Sequence, residues 1–176
     1  MMWLSNSAIV RLRDRLRECG APASRAVPFA ASMLPEELER AASFAEYGPL
    51  CEAMYLMMSA DKSISVAERD VLRGALRELS DGSVRSSHID AMLEQAEKDV
   101  GSDGRARRLE VVSAALRGDV SRSEVAFVLA AAIALADGAV ADEENEVLND
   151  LAERLGIDEA KADSLLDAVE ADLGLE

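Results

Sequence analysis

The stretch ADGAVADEENEVLNDLAERLGI, residues 136–157, decides the reading of this 176-residue chain. It follows an apolar run from Val125 to Ala136 and reads as the end of a buried helix, an acidic turn, and an amphipathic helix carrying an early glutamate. A weaker copy, SADKSISVAERDVLRGALREL, stands at residues 59–79. A shift of 76 residues lays Asp61 on Asp137, Ile64 on Val140, Glu68 on Glu144, Val71-Leu72 on Val147-Leu148, and Leu79 on Leu155. Two such units can pack about a pseudo-twofold axis, which would bring their turns together.

Working outward, the same signals recur. Pro35 suits the first position of a helix, with Glu36 and Glu37 favourable to its dipole, and this helix is expected to run to about Tyr47. Gly48-Pro49 then opens a second helix to Ala60. Ser65 and Glu68 have the spacing of a capping box for a helix over 65–79. Ser87 with Asp90, and Ser121 with Glu124, are expected to cap two more, the latter a central helix buried on most sides. Gly101 to Gly104 separates two further helices, and Gly156 is a stop signal between helices at 141–155 and 158–173. The expectation is an all-α bundle of about 8–9 helices with two pseudo-symmetric halves. Residues 1–46 are read as an N-terminal helical extension and 47–176 as the repeat-bearing domain.

Composition agrees. Aromatics are 3% and hydrophobic residues 49%, enough for a core of closely packed helices and poor in strand formers. Charge is uneven: residues 1–25 carry five Arg against Asp14 and Glu18, whereas the last 40 residues carry 14 acids against Arg154 and Lys161. The formal net charge of −15 repels phosphate backbones, so nucleic acid is not expected as a partner. The longest apolar run is 12 residues, too short to span a bilayer. Arginines 11, 13, 15 and 17 interrupt any secretory core. Cys19 and Cys51 form neither a disulfide framework nor a zinc knuckle, in keeping with a cytoplasmic location. The first helix, over 3–19, is basic and amphipathic. Packing on the chain's own acidic domain is favoured for it, and peripheral membrane contact is the alternative.

The repeated Asp-x-x-[Ile/Val]-x-x-x-Glu is also the second half of an EF-hand loop, but the first half fails in both copies. Met57 or Ile133 would stand at loop position 1, and Ser59 or Leu135 at position 3. Taken jointly, Asp61, Glu68, Asp137 and Glu144 offer four carboxylates to one hard cation: calcium first, with magnesium or manganese as alternatives. The competing reading makes Glu68 and Glu144 helix caps and the aspartates turn residues. Against it, Ala141 replaces Ser65 in the second copy while Glu144 stays. Both readings stand at this point.

At these residues the chain resembles the TerB family, small helical proteins of bacterial tellurite-resistance and stress-response operons, and the N-terminal region of some DnaJ-like co-chaperones. The resemblance spans roughly residues 47–173 and departs at Lys62, where the second copy has Gly138. It implies a pseudo-symmetric all-α domain that binds a divalent cation, Ca2+ before Mg2+ or Mn2+, through Asp61, Glu68, Asp137 and Glu144. It also implies a non-enzymatic interaction module working with TerC-type membrane proteins or TerD-type proteins. No His-Pro-Asp tripeptide occurs, which excludes a complete co-chaperone. A metal-independent interaction scaffold is the alternative function, and a metal-dependent hydrolase a weaker one.

Catalytic patterns are otherwise absent from the sequence. His88 lies beside Ser86, Ser87 and Asp90, too close along one helix start for a triad, which draws its members from separate elements. Neither glycine-rich phosphate motif is present. Arg105, Arg107 and Arg108 read as a solvated basic face, and Met54, Met57 and Met58 as adaptable core packing.

Overall fold

The computed structural model describes residues 9–11, 13–14, 35–60, 64–136 and 140–173. Residues 9–11 and 13–14 are helical, and seven helices follow: α1 (Pro35–Met58), α2 (Val66–Leu79), α3 (Ser86–Asp103), α4 (Arg105–Leu116), α5 (Val120–Ala134), α6 (Asp142–Leu155) and α7 (Glu159–Leu173). Every described element is helical, as expected.

The repeat is visible in the helix ends. α1 and α5 stop at Met58 and Ala134; α2 and α6 run from 66 to 79 and from 142 to 155, each pair offset by 76. Each buried residue of α2, Leu72, Ala75, Leu76 and Leu79, has a buried counterpart in α6, Leu148, Leu151, Ala152 and Leu155, and α6 buries Glu144 and Val147 besides. Ile64 and Val140 both pack on the core from within the two turns. α3 and α7 begin at Ser86 and Glu159, an offset of 73, because three residues join α6 to α7 where six join α2 to α3. Ile89, Met92, Leu93 and Ala96 then correspond to Ala162, Leu165, Leu166 and Val169.

At the centre, α5 buries every residue from Val125 to Ala134. It packs on the C-terminal part of α1, which buries Met54, Met57 and Met58 completely. Each core helix carries its own amphipathic helix, α1 with α2 and α5 with α6. Each amphipathic helix also touches the other half's core helix, as a pseudo-twofold arrangement requires. Arg122, itself buried, donates from Nη2 to the backbone carbonyl of Glu46, its own counterpart in the repeat.

The exchange extends to the first helical segment of each half. α4 packs onto α1 and α3, and its Arg108 pairs with Glu52 and Asp99. The N-terminal helical residues reach α7 in the same way: Ile9 is buried in the core and Arg11 holds Asp172 at 2.6 Å. Arg13 pairs with Asp81 at 3.1 Å. Packing on the acidic domain, the favoured expectation for this segment, is therefore what its described residues do.

Three local expectations are corrected. α1 runs unbroken through Gly48-Pro49, where two helices were expected, and so crosses the expected boundary at residues 46–47 without a linker. Glycine and proline cost a helix interior about 1 and about 3 kcal/mol relative to alanine, and tertiary packing against α3, α4 and α5 overrides both. The central helix is capped by Asp119, whose side chain accepts from the Arg122 N–H at 3.1 Å, rather than by Ser121 and Glu124. The helix begun at Ser86 has Arg85 at its N-cap with no capping hydrogen bond from its side chain, which pairs with Glu39. Asp90 is taken instead by Arg73, at 2.8 and 3.0 Å.

Candidate functional site

Both glutamates of the repeat sit at the third position of their helices, and both fold back onto the turn that precedes them. Glu68 Oε2 accepts the Ser65 backbone N–H at 2.6 Å, while Ser65 Oγ accepts the Glu68 N–H at 3.1 Å, closing a reciprocal cap. Glu144 Oε2 accepts the Ala141 N–H at 2.8 Å; alanine has no oxygen to return the bond. Glu68 is half-buried, and Glu144 is 8% exposed. A carboxylate so deeply placed is retained only with hydrogen-bonded or ionic compensation.

Asp61 and Asp137 lie outside the described residues, so of the four expected carboxylates the structure describes only Glu68 and Glu144, each on its own turn. Among the described residues no group of three or more His, Cys, Asp or Glu side chains is disposed to hold a metal ion. The two glutamates fit a hard cation chemically. A carboxylate oxygen that accepts one N–H keeps a further lone pair, so capping and ligation are compatible.

The first turn carries a positive group of its own. Arg105 Nη1 donates to the carbonyls of Ala60 at 2.8 Å and Ser59 at 3.4 Å, at the C-terminal end of α1. Among the described residues no side chain donates to the equivalent carbonyls of Leu135 and Ala136. Local sequence gave no signal of this contact, since its partners are 45 residues apart.

Arg108 is likewise no solvated residue. Its Nε and Nη2 bind Glu52 at 2.6 and 3.0 Å, with Asp99 at 3.4 Å and Asp103 at 3.3 Å around it. Arg108 and Glu52 are only 16% and 13% exposed. The Glu52 hydrogen bond pushes the guanidinium still higher than its ordinary value, so it stays charged throughout. Arg107, with Glu110 at 2.8 Å, is the member of the trio that matches the solvated reading.

The described residues supply no catalytic arrangement around His88. Its Nδ1 lies 3.5 Å from Ser43 Oγ, while Ser43 donates to the Glu39 carbonyl at 2.9 Å and Asp90 is held by Arg73. Cys51 is fully buried, and burial, reinforced by Glu52, pushes its thiol up to about 12, far from a reactive thiolate. Among the described residues no helix is long and apolar enough to cross a membrane.

Against known families, the model described as tellurite resistance protein TerB matches residues 50–167. The match covers both acidic turns, α2 through α6 and most of α7. No curated protein and no solved structure matches the chain.

Proposed function

Since this chain belongs to the TerB family of tellurite resistance proteins, we propose that it is a non-enzymatic, cytoplasmic stress-response module that binds a divalent cation through its two acidic turns. Asp61, Glu68, Asp137 and Glu144 would hold the ion, with calcium preferred and magnesium or manganese as substitutes. The ion would supply positive charge between two halves that each present carboxylates, stabilising the closed arrangement. That closed form would then be the one recognised by protein partners, of which TerC-type membrane proteins and TerD-type proteins are the proposed examples.

The observation that carries this reading is the placement of Glu144. Its counterpart Glu68 completes a serine cap, but Glu144 keeps the same position and the same fold-back without the serine. A buried carboxylate kept where half its capping role has gone is consistent with a second role at the turn.

Calorimetric titration with calcium, magnesium and manganese tests it. The wild type is expected to bind and to gain about 2.7 kcal/mol of stability at a hundredfold excess over Kd. Asp61→Asn with Asp137→Asn is expected to weaken binding at least tenfold and to abolish the rise in melting temperature. Equal affinity in the double variant ends the site assignment. A metal-independent scaffold is the second reading, favoured by the structural employment both glutamates already have as caps. It predicts no heat of binding and partner capture unchanged by chelation.

A further inference from the structure

A cleft of about 240 Å³ opens between α1, α3 and α4, away from the acidic turns. Phe44, Pro49, Met92, Val111 and Ala115 give it apolar walls, and Glu52, Asp99 and Arg108 add a charged cluster. Asp103, beside the lining rather than in it, also pairs with Arg108, so three carboxylates face one guanidinium with a net charge of −2. Arg108 already has its donors engaged; Asp99 and Asp103 meet it at 3.4 and 3.3 Å. Asp99 Oδ1 also accepts from Gln95 at 2.8 Å and Asp103 Oδ1 from Ser102 at 3.2 Å, and each carboxylate keeps further lone pairs. Arg40, outside the cleft lining, stands over the Phe44 ring at 5.5 Å, so this ring already receives a cation on one face.

Comparison of the halves shows how this space is made. Gly48 lines the cleft, and a Cβ added there would meet nothing within 4 Å. Its counterpart in the repeat is Glu124, which is nearly buried and pairs with Lys161 at 3.3 Å. Gly48 and Pro49, the two residues least suited to a helix interior, stand together in the wall of the cleft. A local rule broken at one concave place and not at its counterpart marks a functional feature more often than an accident.

We propose that this cleft binds a small organic ammonium on an apolar stem, the stem against Phe44 and Met92 and the charged end towards Asp99. The volume lies below the roughly 300–1,000 Å³ typical of sites for drug-sized ligands, which suits a short alkylamine or one lysine side chain. The proposal does not rest on cation binding at the acidic turns.

The test titrates the full chain with 1,5-diaminopentane, with a short capped peptide containing one lysine, and with 1-pentanol as the neutral control. Binding of either amine with a Kd of about 1 mM, with none of the alcohol, is expected, and the two amine arms tell a free ligand from a partner's lysine. Gly48→Leu fills the cleft and replaces a poor helix former, so it is expected to abolish amine binding while the melting temperature holds or rises. Asp99→Asn is expected to weaken binding about tenfold, equal to 1.4 kcal/mol. Failure of both amines to bind overturns the proposal, as does undiminished binding to Gly48→Leu, which would mean a diffuse attraction to the acidic surface.

Discussion

The two halves of this protein are alike where they are apolar and unlike where they are charged. Leu72, Ala75, Leu76 and Leu79 in α2 are matched by apolar residues of α6, and the paired helices end at the same register. By contrast, Arg105 closes the end of the first core helix, Ser65 caps only the first acidic helix, and Gly48 stands where the second half has Glu124. The lesson is physical. Close packing tolerates little change in shape, so a duplicated core keeps its pattern, whereas surface polar groups can be exchanged at a cost of tenths of a kcal/mol.

The largest test of the likeness is truncation of matched leucines. Leu72→Ala and Leu148→Ala are each expected to cost about 2–5 kcal/mol in urea unfolding, since both side chains are buried. A cost for one less than half that of the other breaks the equivalence of the halves. Next come the two arginines that bridge the halves. Arg108→Ala strands Glu52 in a largely buried site and is expected to cost about 3 kcal/mol. Arg11→Ala removes an ion pair whose arginine is 61% exposed, and is expected to cost less than about 1 kcal/mol.

A smaller effect sharpens the contrast at the caps. Ala141→Ser installs the hydroxyl missing from the second copy and is expected to stabilise by about 1 kcal/mol, while Ser65→Ala loses a similar amount. A gain from Ala141→Ser much smaller than the loss from Ser65→Ala would show that the second turn does not hold residue 141 in the capping geometry of Ser65.

The last prediction has no effect at neutral pH. Cys51 occupies the core position that Phe127 holds in the other half, and its thiol is raised from 9.0 to about 12. The folded state therefore holds a proton that the unfolded chain releases. Stability should fall as pH climbs from about 9 to about 12, with no contribution from this group below that window. Cys51→Ala should flatten that part of the curve, and alkylation of the native thiol at pH 8 should track unfolding.

The repeat was legible because both periodicity and spacing are local properties. It placed α2 and α6 within a residue of their ends and put Glu68 and Glu144 at helix starts. The continuity of α1 was not legible, because Gly48-Pro49 is locally a break and only burial against other helices holds it together. Asp119 does not stand out as a cap in the sequence, because Ser121 and Glu124 offer the familiar spacing two residues later. The pairing of Arg108 with Glu52 joins residues 56 apart, a tertiary fact that no window of sequence contains. Of the four proposed cation ligands, Glu68 and Glu144 stand at the third positions of their helices, and the two aspartates lie outside the described residues.

Gly104, in a left-handed conformation at φ 83°, is the single residue between α3 and α4 and thus the seam between the halves. Because each side of that seam carries a helical segment packed on the other, scission there would not release two autonomous modules. The pieces would behave as complementing fragments, each inert alone and regaining shape on mixing, in the manner of a split reporter.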